Sequence, residues 1–235
     1  MGWDYLQHTL IETTESKFEY CLPQLEIEHY QTLTDCTSNN ITNIDHVVLN
    51  VASGKLNPAL ELYLALFEFR VQQSFYIQTE NSGLSSKALI DDSGEVQFNI
   101  NEPTSTNSQI QEFIDFNGGP GIQHLALRSQ NLIADVAQMR QNNISFLTIP
   151  PTYYSQLQLL STLSRDEWQA ISSKQILVDS DHNHPQSIIM QIFTRPIFEQ
   201  PTFFLEFIER RQQARGFGQG NFQALFEAVE RTQTK

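Results

Sequence analysis

The chain has 235 residues, 40% of them hydrophobic, so it can bury a core and is not disordered by composition. Its formal net charge of −13 repels phosphate, which argues against nucleic acid or an anionic membrane as a partner. We find no secretory signal pattern and no apolar stretch near the roughly 20 residues of a membrane span, and the two cysteines are expected to be free thiols. These features predict a cytoplasmic protein.

Residues 1–42 are weakly patterned, with one short strand predicted at 8–14, and we interpret them as a lead-in that ends in a linker rich in Ser, Thr and Asn. The pattern sharpens from Ile44 onwards. It predicts a strand at 44–51, a helix at 57–67, and three strands at 69–78, 85–92 and 95–100. This half of the chain therefore has the order βαβββ.

The second half repeats that order with an insertion. A strand is predicted at 122–129, a helix at 131–143 and a strand at 144–150, followed by an inserted helical stretch at about 156–172. A hairpin at 175–181 and 187–194 and a last strand at 203–210 complete the prediction. After the glycine-rich residues 216–222, apolar spacing predicts an amphipathic helix.

The two halves also share letters. Residues 44–49 read IDHVVL and residues 122–127 read IQHLAL, which indicates two copies of one supersecondary unit. Two βαβββ units side by side predict an α+β fold that forms a half-open barrel, with inward-facing side chains in its mouth.

Two histidines, His46 and His124, stand at matching positions in these strands, and Glu206 lies in the final strand. Two imidazoles and one carboxylate suit non-haem Fe(II) and leave coordination positions open for a substrate and O₂. Strand alternation predicts that His46 faces away from its neighbours Asp45 and Val47. A single strand histidine is more often a core residue, and a single strand glutamate is more often solvated. The repeat supports the two histidines together but leaves the glutamate open.

Longer strings carry a family resemblance over residues 43–231. They include DHVVLN (45–50), SGLSSKAL (82–89), GGPGIQHLAL (118–127), FFLEFIERR (203–211) and GFGQGNFQALFE (216–227). In this order and spacing they resemble the catalytic half of the 4-hydroxyphenylpyruvate dioxygenase family. The resemblance implies a vicinal-oxygen-chelate fold and an iron triad of His46, His124 and Glu206. One departure is Asn99-Ile100, since the family often has a proline there.

The resemblance also implies a substrate pocket. Phe193 and Phe222 would clamp an aromatic ring, and five polar residues would line the rest, namely Ser86, Asn101, Gln109, Gln123 and Gln191. Phe217 and Asn221 would lie on the segment that closes the pocket, ahead of a lid at 216–233. Without the resemblance, core packing is the simpler interpretation of the two phenylalanines.

The activity that the resemblance implies is Fe(II)-dependent conversion of 4-hydroxyphenylpyruvate and O₂ to homogentisate and CO₂. The resemblance also divides the chain into two parts. Residues 1–42 would be a remnant of an N-terminal domain with a linker, and residues 43–235 would be a catalytic domain with units at about 44–103 and 121–210. Two alternatives stay open, a hydroxymandelate synthase-like oxygenase and a non-catalytic binder of aromatic ligands. A homo-oligomer and the choice between tyrosine breakdown and quinone or tocopherol synthesis also stay open.

Overall fold

The structure, a computed structural model, describes residues 2–3, 6–8, 40–78, 82–156, 162–181, 184–222 and 224. Residues 9–14 of the strand predicted at 8–14, most of the predicted linker and the predicted lid helix beyond residue 224 lie outside these residues. Helical residues at 219–222 and 224 mark where that last helix begins.

A short pair of strands, β1 (Gly2–Trp3) and β2 (Leu6–Gln7), precedes the main fold. The first βαβββ unit is confirmed; its elements are β3 (Ile41–Asn50), α1 (Leu56–Phe67), β4 (Arg70–Gln78), β5 (Gly83–Ile90) and β6 (Gln97–Pro103). A helix that was not predicted, α2 (Gln109–Asn117), joins the units, and the Ser108 hydroxyl caps it by accepting from the Ile110 amide.

The second unit begins with β7 (Gly121–Ser129) and α3 (Leu132–Gln141) and ends with β8 (Leu177–Asp181), β9 (His184–Phe193) and β10 (Phe204–Arg210). The insertion between them contains two helices, α4 (Pro151–Gln156) and α5 (Arg165–Ser173), rather than one helical stretch.

The prediction of a strand at 144–150 is wrong. Within it, only Phe146 forms an isolated bridge, to Thr194, and Leu147 donates its amide to Phe193. Three of its apolar side chains are buried, Phe146, Leu147 and Ile149, so the segment packs as core without continuous pairing. A buried apolar run followed by two prolines is thus indistinguishable from a strand by pattern alone.

One curled sheet of eight strands holds both units in the order β4-β5-β6-β3-β7-β10-β9-β8. The first strands of the two units, β3 and β7, pair antiparallel at its centre. Each of them pairs on its other side, in parallel, with the last strand of its own unit, β6 or β10. The fold is therefore the pseudo-symmetric half-barrel of a vicinal-oxygen-chelate protein.

Side chains divide between the two faces of this sheet. On β6, Phe98 and Ile100 join Tyr63 of α1 in the core, whereas Asn99 and Asn101 line a cavity on the opposite face. A second core cluster unites Leu132 and Val136 of α3 with the other half of the sheet. The helices α1 and α3 thus cover the outer face, and the inner face is left for a site. In the part of the chain that is described, no helix is both long and apolar enough to span a membrane.

The same capping contact recurs in both units. Glu102 of β6 accepts the backbone amide of Leu56 at the start of α1 at 3.1 Å, and Glu209 of β10 accepts that of Leu132 at the start of α3 at 2.7 Å. A carboxylate near a helix N-terminus satisfies a free N–H group and complements the helix dipole. Each unit therefore fixes its helix to its own last strand.

Candidate metal centre

The three predicted ligands lie on one face of three neighbouring strands, β3, β7 and β10. Ala126 of β7 pairs with His46 of β3 on one side and with Glu206 of β10 on the other. His124 precedes Ala126 by two residues and so projects from the same face. The central strand pairing of the two units brings the triad together.

The triad atoms are close and buried. The His46 Nε2 atom lies 3.3 Å from Glu206 Oε2, and the His124 Nε2 atom lies 3.6 Å from the same oxygen. Ligand atoms from all three residues lie within 4.8 Å of one another, and none of the three residues is more than 8% exposed. A metal bound at about 2.1 Å from each would place neighbouring ligand atoms about 3 Å apart, so these residues fit a divalent ion.

The second ring nitrogen of each histidine is already engaged. His46 Nδ1 lies 2.9 Å from Asp45 Oδ1, and His124 Nδ1 lies 3.2 Å from Gln123 Oε1. An acceptor at Nδ1 keeps that nitrogen protonated and leaves the Nε2 lone pair for a metal. The hydrogen-bond partners therefore favour the tautomers that metal binding needs.

The charges of the triad favour the binding of a cation. Burial lowers the pKa of His46, but Glu206 and Asp45 outweigh it and raise the pKa to about 9. Burial lowers the pKa of His124, and the attraction of Glu206 does not compensate for it. Burial raises the pKa of Glu206, but the two histidines overcome this and lower it to about 2. An ionised carboxylate thus faces a positively charged His46 and a neutral His124 in a buried place, and a metal ion bound there would replace the His46 proton.

A cavity of about 110 Å³ opens onto the triad. Six of the nine predicted substrate residues line it: Ser86, Asn101, Gln109, Gln123, Phe193 and Phe222. Their side chains come from both units, from α2 and from the helix that begins at residue 219. The structure brings them together with the triad, while their contact with a substrate stays a prediction.

The other three predicted residues, Gln191, Phe217 and Asn221, lie behind the triad rather than on the cavity wall. Gln191 Nε2 donates to Glu206 Oε1 at 2.9 Å and to the Phe217 carbonyl at 3.1 Å. Gln191 Oε1 accepts from Asn221 Nδ2 at 2.8 Å, and Asn221 Oδ1 accepts from the Tyr153 hydroxyl at 2.7 Å. These residues fasten Glu206 to residues 211–222, which we call the closing segment.

Sequence reasoning missed several residues that line the cavity, Phe204 and Asn99 among them. Phe204 stacks on His124 with ring centroids 4.6 Å apart, and strand alternation with Glu206 was the signal for it. Asn99 occupies on β6 the register position that Glu206 occupies on β10, since their partners Val48 and Ala126 are equivalent in the repeat. Its Oδ1 is buried and has no hydrogen-bond partner among the described residues. Alternation with Asn101 was the available signal.

Known proteins resemble the chain in sequence and in structure. The model of the Glyoxalase/Bleomycin resistance protein/Dioxygenase superfamily matches residues 43–159. An uncharacterized protein of Synechocystis sp. is 45% identical over 192 residues, 81% of this chain and 57% of that protein. A 4-hydroxyphenylpyruvate dioxygenase of Dictyostelium discoideum is 36% identical over 240 residues, 96% of this chain and 63% of that protein.

Among solved structures, a triple mutant of 4-hydroxymandelate synthase from Streptomyces coelicolor superposes with a TM-score of 0.74 at 31% identity. The match covers 82% of this chain and 56% of that one. The chain thus spans between 56% and 63% of the length of these three proteins. In sequence it is similar to the C-terminal half of the 4-hydroxyphenylpyruvate dioxygenases, and it has the vicinal-oxygen-chelate fold of the superfamily whose model it matches.

Proposed function

We propose that the chain is an Fe(II)-dependent dioxygenase that converts 4-hydroxyphenylpyruvate and O₂ to homogentisate and CO₂. The observation that carries the proposal is the convergence of His46, His124 and Glu206 within one buried face of a pocket. A set of two imidazoles and one carboxylate suits non-haem Fe(II). The sequence similarity to the dioxygenases supplies the substrate.

His46, His124 and Glu206 would hold the iron through two Nε2 atoms and one carboxylate oxygen. When bound, iron supplies the open positions at which the 2-oxo carboxylate head of a substrate and O₂ meet, together with the electrons that activate O₂. The protein contributes geometry. Gln191 orients the Glu206 carboxylate, and Asp45 and Gln123 orient the two imidazoles.

The rest of the pocket would hold an aromatic ring. Phe193, Phe204 and Phe222 offer apolar surface, while Ser86, Asn101 and Gln109 offer polar groups on the cavity wall. An aromatic ring with a polar substituent matches both kinds of surface. We infer that the substrate lies with its 2-oxoacid head at the triad and its ring among these side chains.

The closing segment would exclude water during the reaction. Phe217 is 1% exposed and packs edge-on against His46 at 5.2 Å, and Asn221 is equally buried. A pocket closed from water protects reactive species and strengthens electrostatic interactions inside it. The helix that begins at residue 219 continues this cover over the pocket through Phe222.

Product analysis tests the proposal. The purified chain is loaded with Fe(II) without oxygen and then mixed with 4-hydroxyphenylpyruvate and O₂, and consumed O₂, released CO₂ and the organic product are measured. We expect homogentisate and CO₂, each equal to the O₂ consumed. His124→Ala is expected to abolish all three signals. The matched control His184→Ala replaces an exposed histidine outside the cavity and should retain them.

A second candidate is 4-hydroxymandelate synthesis, favoured by the structural neighbour with that name. It consumes the same substrate and O₂ and releases CO₂, but it hydroxylates the benzylic carbon instead of the ring. Recovery of 4-hydroxymandelate would replace our proposal with this one. Iron binding without O₂ consumption would support a non-catalytic binder of aromatic ligands.

A further inference from the structure

The buried carboxylate of Asp45 is the centre of an ion cluster beside the triad. Its side chain is fully buried and lies 2.9 Å from Nδ1 of His46. Arg210 binds it in a bidentate manner, with Nη2 2.6 Å from Oδ1 and Nε 2.8 Å from Oδ2. Arg128 binds Oδ2 as well, with Nη2 at 2.7 Å and Nε at 2.9 Å. The two arginines thus determine how this carboxylate meets His46.

Arg210 has a further contact. Its Nη1 donates to the Gly216 carbonyl at 2.7 Å and to the Ala214 carbonyl at 3.3 Å, both in the closing segment. Among the described residues no hydrogen bond joins the Arg128 side chain to that segment. Only 6% of the Arg210 side chain is exposed, compared with 39% of Arg128. A planar guanidinium can hold a carboxylate and a carbonyl at once, which an ammonium cannot do in the same geometry.

Both contacts of Arg210 lead to groups that touch His46. On one side, Asp45 holds the Nδ1 atom of His46. On the other, Gly216 is followed directly by Phe217, whose ring packs edge-on against the His46 ring at 5.2 Å. The residues that restrain His46 at its nitrogen and at its face are therefore both fixed by one side chain.

We propose that Arg210 is a positioning residue that couples the orientation of the metal ligand His46 to the docking of the closing segment. Any group that favours one orientation of His46 then also favours the docked segment, and the reverse holds because coupling between two sites is reciprocal. Gln191 makes the corresponding tie on the other side, between Glu206 and the Phe217 carbonyl. The inference rests on the proposed metal site but not on the proposed reaction.

The test compares Arg210→Lys with the matched control Arg128→Lys, since both keep the charge beside Asp45 and remove the planar fork. The affinity of the intact chain for Co(II), a spectroscopic probe of the site, is measured by titration. Hydrogen–deuterium exchange of residues 211–222 is followed with and without the metal. We expect Arg210→Lys to weaken Co(II) binding about 10- to 100-fold, the range for residues that orient a metal-bound histidine. Its closing segment should exchange faster, and Arg128→Lys should change both readouts about threefold or less.

Equal effects of the two variants would overturn the proposal, because Arg210 would then only neutralise Asp45. Unchanged Co(II) affinity in Arg210→Lys, or faster exchange without weaker binding, would also contradict it. If Arg210→Lys does not fold, the double variant Asp45→Asn/Arg210→Gln removes both charges, and the same loss of affinity and protection is expected. A wild-type chain that binds Co(II) but produces no homogentisate refutes the reaction and leaves this coupling intact.

Discussion

At the scale of single residues, local backbone detail decides which side chains support the site. The alternation of β3 predicts that Asp45 faces away from His46. The pairing of β3 with β7 shifts register between Ile44 and His46, and the Asp45 carboxylate reaches His46 Nδ1. An extra residue in one strand breaks the period of two, and nothing in the letters IDHVVL marks it. The triad itself was predictable, because the repeat and the family resemblance depend on residue identity.

Gly218 supports the site through the absence of a side chain. Its φ of +70° is a left-handed conformation, and a Cβ atom there would overlap the side-chain amide of Gln191. Gln191 holds both Glu206 and the Phe217 carbonyl, so this overlap would disturb a predicted ligand and the closing segment together.

We predict that Gly218→Ala lowers the free energy of unfolding by about 1–3 kcal/mol and reduces turnover more than tenfold. Gly54→Ala is the matched control, since its φ of +76° carries the same strain but nothing lies within 4 Å of its Cβ. The free energy of unfolding of Gly54→Ala should fall by about 1 kcal/mol, and its activity should be retained. Denaturant unfolding and steady-state kinetics measure both. Equal activity of the two variants would show that the space Gly218 leaves for the Gln191 side chain does not matter for turnover.

At the scale of elements, most strands and helices follow from periodicity, and the exceptions have physical causes. The segment 144–150 has the composition of a buried strand, but it packs beneath the insertion and bridges the sheet only at Phe146. The short helix α2 was missed, although its capping residue Ser108 stands before a run that includes Ile110, Phe113 and Ile114. Pattern alone does not say whether an apolar run pairs or only packs, since that depends on the partner strand.

The repeated caps predict a stability effect in each unit. Glu209→Ala should cost about 2 kcal/mol, since Glu209 is 7% exposed and loses both the Leu132 amide and Arg211 as partners. Glu102→Ala, at a less buried position, should cost about 1 kcal/mol. Glu61→Ala, on the exposed face of α1, is the control and should stay within about 0.5 kcal/mol of wild type.

Urea unfolding measures these three costs, and hydrogen exchange of the first turns of α1 and α3 localises them. We expect faster exchange in α3 for Glu209→Ala, faster exchange in α1 for Glu102→Ala, and unchanged exchange for Glu61→Ala. If Glu209→Ala and Glu61→Ala were equally stable, the carboxylate contact would contribute nothing, and the recurrence of the cap would have no energetic meaning.

At the scale of the whole molecule, the metal site belongs to neither unit alone. His46 comes from the first unit, whereas His124 and Glu206 come from the second, and only the central pairing of β3 with β7 brings them together. The repeat predicts two units side by side in a half-open barrel, but it does not predict which strands pair at the centre. It did not predict the ties through Gln191 and Arg210, because those depend on where the closing segment returns to the sheet.

Anaerobic Fe(II) titration of the chain, with X-ray absorption of the loaded protein, tests the central claim most directly. We predict one Fe(II) per chain, with two imidazoles and one carboxylate among its ligands. His46→Ala, His124→Ala and Glu206→Ala should each lose this binding while their far-UV circular dichroism stays close to wild type, and His184→Ala should retain it. Undiminished Fe(II) affinity in any one of the three variants would remove that residue from the ligand set and contradict the site described here.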